Sequence, residues 1–175
     1  LVFKNATGLI QCGDQSVFTE MNGVYDMNRN RKIFNFRAPN LSITESFLKN
    51  LPDKTLGEKL WTNLNPAGKV DISANFQGFG EKSDDRTIEI NLKDCEIKAG
   101  TYKIPLWGMA GRLAFGKSGF SSKRINANCC GGHVEGTLSV STDPYKYHGE
   151  VVFSRVALEE LAHQVNKSDN SLSGL

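Results

Sequence analysis

Apolar and polar residues alternate with a period of two along most of this chain. The cleanest run is Val70-Asp-Ile-Ser-Ala-Asn-Phe76, where every even position is apolar and every odd one polar. That is the pattern of a strand with one buried and one wet face. Ile88-Glu-Ile-Asn-Leu92 repeats it, and Leu113/Phe115, Val134/Leu138/Val140 and Val151/Phe153 continue it. Gly- and Asp-containing turns interrupt it at Gly78-Phe-Gly80, Gly116-Lys-Ser-Gly119, Gly131-Gly132 and Asp143-Pro144. The pattern predicts a mainly β fold, a curved antiparallel meander sheet.

Helical signals are few. Ser42 or Thr44 followed by Glu45 and Phe47-Leu48 starts one helix, which Pro52 stops; residues 157 to 165 supply another. A third runs from about Leu56 to Leu64, with Leu56, Leu60, Trp61 and Leu64 on one side and Pro66 and Gly68 ending it. Two or three short helices cannot cover a long sheet. Its apolar face must close into a sandwich or barrel with no ligand, or stay open as a concave apolar channel.

The chain also reads nearly the same way twice at an offset of about 115 residues. Leu1-Val-Phe-Lys-Asn matches Leu113-Ala-Phe-Gly-Lys, Met21-Asn-Gly-Val-Tyr matches Val134-Glu-Gly-Thr-Leu, and Phe34-Asn-Phe matches Val151-Val-Phe. Leu41-Ser-Ile-Thr-Glu-Ser-Phe-Leu then matches Val156-Ala-Leu-Glu-Glu-Leu. We therefore expect about one and a half copies of a repeat, packed as one continuous domain and belonging to something longer. Residues 1–55 read as the C-terminal part of one unit and 56–175 as a second, nearly complete one.

Composition adds mostly exclusions. An apolar share of 39% supports a real core, and 21 basic against 19 acidic residues leave a net charge of +2 spread along the chain. There is no electrostatic footprint for nucleic acid. The one tight basic cluster, Arg29-Asn-Arg-Lys32, reads as a solvated hairpin tip.

Several motifs invite chemistry. Gly111-Arg-Leu-Ala-Phe-Gly-Lys-Ser118 matches the P-loop pattern, but that loop needs a helix starting at its Lys-Ser, and here Leu113 and Phe115 mark the interior as strand. A Gly-rich hairpin turn is expected instead. Cys129-Cys130-Gly-Gly-His133 suggests a soft metal site with Cys95 or His148, yet zinc signatures pair two short ligand clusters and only one is present. No metal or cofactor is expected. Neighbouring cysteines on a strand point to opposite faces, so only one of Cys129 and Cys130 can meet a given partner. A bond from Cys95 to one of them is geometrically allowed, with free thiols the expectation. His133, His148 and His163 read as turn, strand and helix, and no carboxylate pair is placed for acid–base work. Trp107, after Pro105 and before Gly108 and Gly111, reads as a packing anchor at a strand crossing, the alternative being the mouth of a groove.

The run Leu92-Lys-Asp-Cys-Glu-Ile-Lys-Ala-Gly-Thr-Tyr-Lys-Ile-Pro-Leu-Trp-Gly-Met-Ala-Gly-Arg-Leu-Ala-Phe resembles the AsmA-like and TamB-like repeat proteins of bacterial envelopes. So does the order around it: a Gly68-Lys-Val70 strand before, a Gly132-His-Val-Glu-Gly136 strand after, and a Leu-Glu-Glu-Leu helix at 158–161. The resemblance implies a periplasmic module of a parent protein anchored in the inner membrane. It would be non-enzymatic, part of a β-walled apolar groove for lipid transport or outer-membrane assembly. Its partners would be lipid acyl chains, other repeat units of the same parent and other envelope proteins. No catalytic residues belong to the family pattern. The groove candidates are the apolar-face residues Val70, Ile72, Phe76, Ile88, Ile90, Leu92, Leu113, Phe115, Val134, Leu138, Val140, Val151 and Phe153. The alternative is a structural or protein-binding β-repeat with a closed core.

Overall fold

Nine strands follow one another in space as they do in the chain. The computed structural model describes residues 1–28, 31–50, 54–79, 83–100, 102–117, 119–142 and 145–172. The elements are β1 (Val2–Cys12), β2 (Gln15–Asp26), β3 (Arg31–Ser42), α1 (Glu45–Lys49), α2 (Lys54–Leu64), β4 (Ala67–Phe79), β5 (Ser83–Ala99), β6 (Ile104–Gly116), β7 (Gly119–Cys129), β8 (Gly132–Thr142), β9 (Tyr145–Ser154) and α3 (Leu158–Leu172). All neighbours are antiparallel, and the sheet order is β1 to β9 without a crossover. Short connections make this order the simplest one available for every neighbouring pair except β3 and β4, which α1 and α2 join. The sheet does not close, so β1 and β9 are edges.

The helices sit where the sequence places them, with one difference in length. Thr44 caps α1, its hydroxyl accepting from the Phe47 N–H at 3.1 Å and donating to Asp14 at 3.0 Å. Pro52, the expected stop, lies outside the described residues. At the C-terminus of α2 the Lys103 ammonium donates to the carbonyls of Thr62 and Asn63 at 3.1 and 2.7 Å, where orphan acceptors and the helix dipole both favour a cation. α3 runs well beyond residue 165, because no Gly or Pro interrupts its polar second half before Leu172.

Across the sheet runs a seam of bulges that the alternating pattern did not announce. The pairing register shifts between Phe3 and Ala6, Ala38 and Leu41, Leu92 and Cys95, and Ser122 and Ile125. At each shift one residue has a positive φ: Asn5, Asn40, Asp94 and Arg124. Gly68 in β4 and Gly108 and Gly111 in β6 do the same. One inserted residue restores the facing of the side chains beyond it, so apolar positions three apart share a face here. Bulges also sharpen the local twist, and residues of α1 and α3 pack at this end of the sheet.

The core lies at that end. Val17, Ala38, Leu41, Val70, Cys95, Met109 and Ala127 form its main cluster, with Ile43 and Phe47 packed against it. A second cluster, Cys129, Cys130 and Val134, is covered by Val156 and by Leu161 of α3.

On the opposite face, Asp71 holds one bulge in place. Its carboxylate accepts from the Lys93 ammonium at 2.7 Å and from the Asn40 N–H at 2.8 Å, and these bonds, the Lys93 one first, hold its pKa below the ordinary 3.8. A carboxyl with a lowered folded-state pKa contributes its stability above the unfolded value and loses it as pH falls through the folded value. Asp71→Ala, which removes the acceptor of both bonds, is therefore expected to cost about 1 kcal/mol at neutral pH, where the half-exposed Lys93 pair is screened and the backbone bond carries more of the effect. The gap between the urea midpoints of wild type and variant should narrow as pH falls below 3.8, through the lowered folded-state value.

The strand–strand–strand–helix order occurs at both ends of the chain, as β1-β2-β3-α1 and β7-β8-β9-α3. Two-residue turns join Cys12 to Gln15 and Cys129 to Gly132, and the buried Val17 and Val134 follow them at the same remove. The match of Leu1 to Leu113 is one strand out of step, since Leu113 lies in β6 while β1 corresponds in order to β7, and the match of Met21 to Val134 is four residues out of step, since Val17 corresponds to Val134. Strand ends of the form apolar-x-Phe are alike on neighbouring strands, so a short motif cannot tell them apart.

Candidate functional site

Strand register puts all thirteen groove candidates on one face. Partners directly opposite each other in a sheet project to the same side. Ile72, Ile90, Leu113, the buried Ser122 and Leu138 form one such row, joined at its ends by Ala38 and Gly149. Ile88, Phe115 and Val140 form a second with Phe36, Ala74, Phe120 and Tyr147. Val70 pairs with Leu92, Val134 with Phe153, and Val151 with Gly136, while Phe76 stands two residues from Ala74 on the same strand. The period-two reading therefore becomes one apolar surface running across β3 to β9.

Its cover is uneven. Val70 and Val134 are buried in the helix-end clusters. Ile72, Phe76, Ile88, Ile90, Leu92, Leu113 and Val140 are half-buried, and of these Ile72, Ile90 and Leu92 pack against the main cluster. Towards the β9 edge the surface opens: Leu138 is 43% exposed, Val151 58% and Phe153 61%. The rings of Phe115 and Phe120 pack with centroids 4.9 Å apart near the β6–β7 turn. Beside them is a hollow of about 240 Å³ lined by Arg86, Ile88, Phe115, Gly116 and Lys117, two cations framing an apolar floor.

The opposite face is polar and carries the larger depressions. One, of about 580 Å³, has Glu20, Asn22, Asn35, Arg37, Asn75 and Glu89 among its lining. Another, of about 550 Å³, is lined by Thr87, Ser121, Ser139 and His148 of this face together with Phe115, Phe120, Val140 and Tyr147 of the apolar one. Trp107 belongs to this side, opposite Asn128, which in turn stands opposite His133. It is therefore no part of the mouth of an apolar groove, and it flanks the bulge at Gly108.

The remaining motifs resolve by placement. Gly111 to Gly116 lie in β6 and Gly119 opens β7, so a strand follows where a P-loop requires a helix; Ser118 lies outside the described residues. Arg29 and Asn30 of the basic cluster also lie outside them, between the paired Asp26 and Arg31. His133 stands in β8 rather than in a turn, with His148 in β9 and His163 in α3. Among the described residues no group of three His, Cys, Asp or Glu side chains is placed to hold a metal, and no helix is long and apolar enough to cross a membrane.

The cysteines depart from expectation. Cys129 ends β7, but Cys130 is in the turn with φ 47°, so strand alternation does not separate them. Both are buried, and the sulfurs are 3.6 Å apart. Burial, reinforced by its neighbour's sulfur, pushes Cys129 up to about 11. Cys95 belongs to the other cluster, its thiol donating to the Lys69 carbonyl at 3.2 Å, and all three are free. Burial pushes the Cys95 thiol up as well.

No protein-family model, curated protein or solved structure matches the chain.

Proposed function

We propose that this chain is a non-enzymatic cell-envelope module whose apolar sheet face forms part of a wall for lipid acyl chains, serving lipid transport or outer-membrane assembly. The observation that carries the reading is a single-layer, unclosed sheet whose continuous apolar face is covered by helices at one end only. Exposed contiguous apolar surface of this kind marks a place where something apolar is met. Arg86 and Lys117 beside Ile88 and Phe115 would suit an anionic head group above an acyl chain. The resemblance of residues 92–115 to AsmA-like repeats supplies the biological setting, with the parent chain anchored in the inner membrane and further units extending the wall through the periplasm. Incubation with phospholipid followed by native mass spectrometry is expected to show lipid-bound protein. The absence of lipid adducts, together with no enhancement of an apolar fluorophore, would count against the reading.

A second reading, a protein-binding β-repeat, is favoured by the two open edges, since an unpaired strand is a template for another chain. It predicts association without lipid that a proline placed in β9 abolishes.

A further inference from the structure

We propose that Cys129 and Cys130 are a modification site: adjacent thiols that close reversibly into a vicinal disulfide and thereby control the docking of α3. The geometry is specific to this pair. The sulfurs are 3.6 Å apart, already in contact, and both side chains are buried in the small cluster that Val156 and Leu161 cover. The turn that brings them together has consecutive positive φ angles, 47° at Cys130 and 72° at Gly131, the conformation of a tight two-residue hairpin. The hairpin at the other end of the chain has Gly13 at that point, so this turn does not require a cysteine.

The same residue anchors the helix. The Cys130 carbonyl accepts from the Ala157 N–H at 2.9 Å, immediately before α3 begins. Closing the ring draws the two sulfurs from contact to bonding distance, about 2.05 Å, and must change the φ and ψ of Cys130 as well as tilt the peptide that joins it to Cys129. That moves the Cys130 carbonyl away from Ala157 and disturbs the surface on which Leu161 rests. Adjacent Cα atoms lie about 3.8 Å apart, below the usual span of a disulfide, so the closed ring is strained and readily reduced.

The reaction balances with a small-molecule disulfide as oxidant. One cysteine thiolate attacks a sulfur of the reagent, breaking its S–S bond and releasing one thiolate. The second cysteine attacks the protein sulfur of this mixed disulfide and releases the other. Two electrons pass from the cysteines to the reagent, and the two cysteine protons end on the departing thiols. Thiolate is scarce while α3 covers the pair, so exchange proceeds from the state in which α3 has opened.

Trypsin cleavage after Arg124 and Lys146 gives a peptide holding these two cysteines and no others. After the native chain is incubated with oxidised glutathione, this peptide is expected to be lighter by two hydrogen atoms and resistant to alkylation, and dithiothreitol should reverse both changes. Leu161→Ala should accelerate closure by roughly tenfold by opening α3 more often. Amide exchange across residues 158–172 should quicken in the oxidised form. Thiols that stay alkylatable, or that carry glutathione without closing, in both the native chain and Leu161→Ala would overturn the disulfide. Closure with unchanged exchange in α3 would overturn its control of the helix.

Discussion

Gly68→Val is expected to cost roughly 3 kcal/mol or more, a large part of what a domain of this size possesses. Two effects add at this position. The φ of 115° lies where residues with a side chain are strained. A Cβ there would also stand 2.6 Å from the Cys95 Cα and 2.8 Å from the Asp94 carbonyl oxygen, both backbone atoms of the adjacent bulge in β5. Backbone cannot swing aside as a long side chain can, so β4 and β5 must separate where the main cluster is densest. Gly100→Ala is the control. Its φ is 69°, but nothing lies within 4 Å of the added carbon, and the expected cost is about 1 kcal/mol. Urea midpoints for the two variants at an unchanged m-value would separate strain from close approach. Equal losses would mean that the bulges of β4 and β5 are not interlocked.

Those bulges also mark where the sequence stopped being legible. In Val70 to Phe76 and Ile88 to Leu92 each pleat is intact, so period two gives both the strand and its inward face. The candidate wall was readable for the same reason, since a residue's face follows from its parity once the register is fixed. Past Leu92 the next inward residue is Cys95, three positions on, and the same step of three recurs from Ala38 to Leu41 and from Ser122 to Ile125. An Asp, Asn or Arg at positive φ sits inside each step. A break from two to three flanked by Asn, Asp or Gly is the signal that would have located the seam. The cysteine pair shows the same rule in reverse: alternation ends between Cys129 and Cys130, because Gly131 and Gly132 place the second in a turn. Nothing in the local sequence specified the hollows on the polar face, because they depend on the curvature of many strands together.

Leu41→Ala and Leu138→Ala remove the same atoms from the same face and should differ severalfold in cost. Leu41 is 1% exposed between the helices and the bulge seam, where truncation loses burial and leaves a cavity, together about 3 kcal/mol. Leu138 is 43% exposed, has Gly149 opposite it on β9, and gains little from folding; its truncation should cost less than about 1 kcal/mol. The contrast becomes functional with Leu138→Asp. In the free protein the carboxylate reaches water at the open face, so the fold should survive with a loss of about 1 kcal/mol. An acyl chain laid along Leu113 and Leu138 would bury that charge without a partner, so affinity for phospholipid should fall by more than about tenfold. Equal losses from the two alanine variants would show that the β9 side is packed rather than open. A folded Leu138→Asp protein that binds phospholipid as the wild type does would remove this face from the proposed wall.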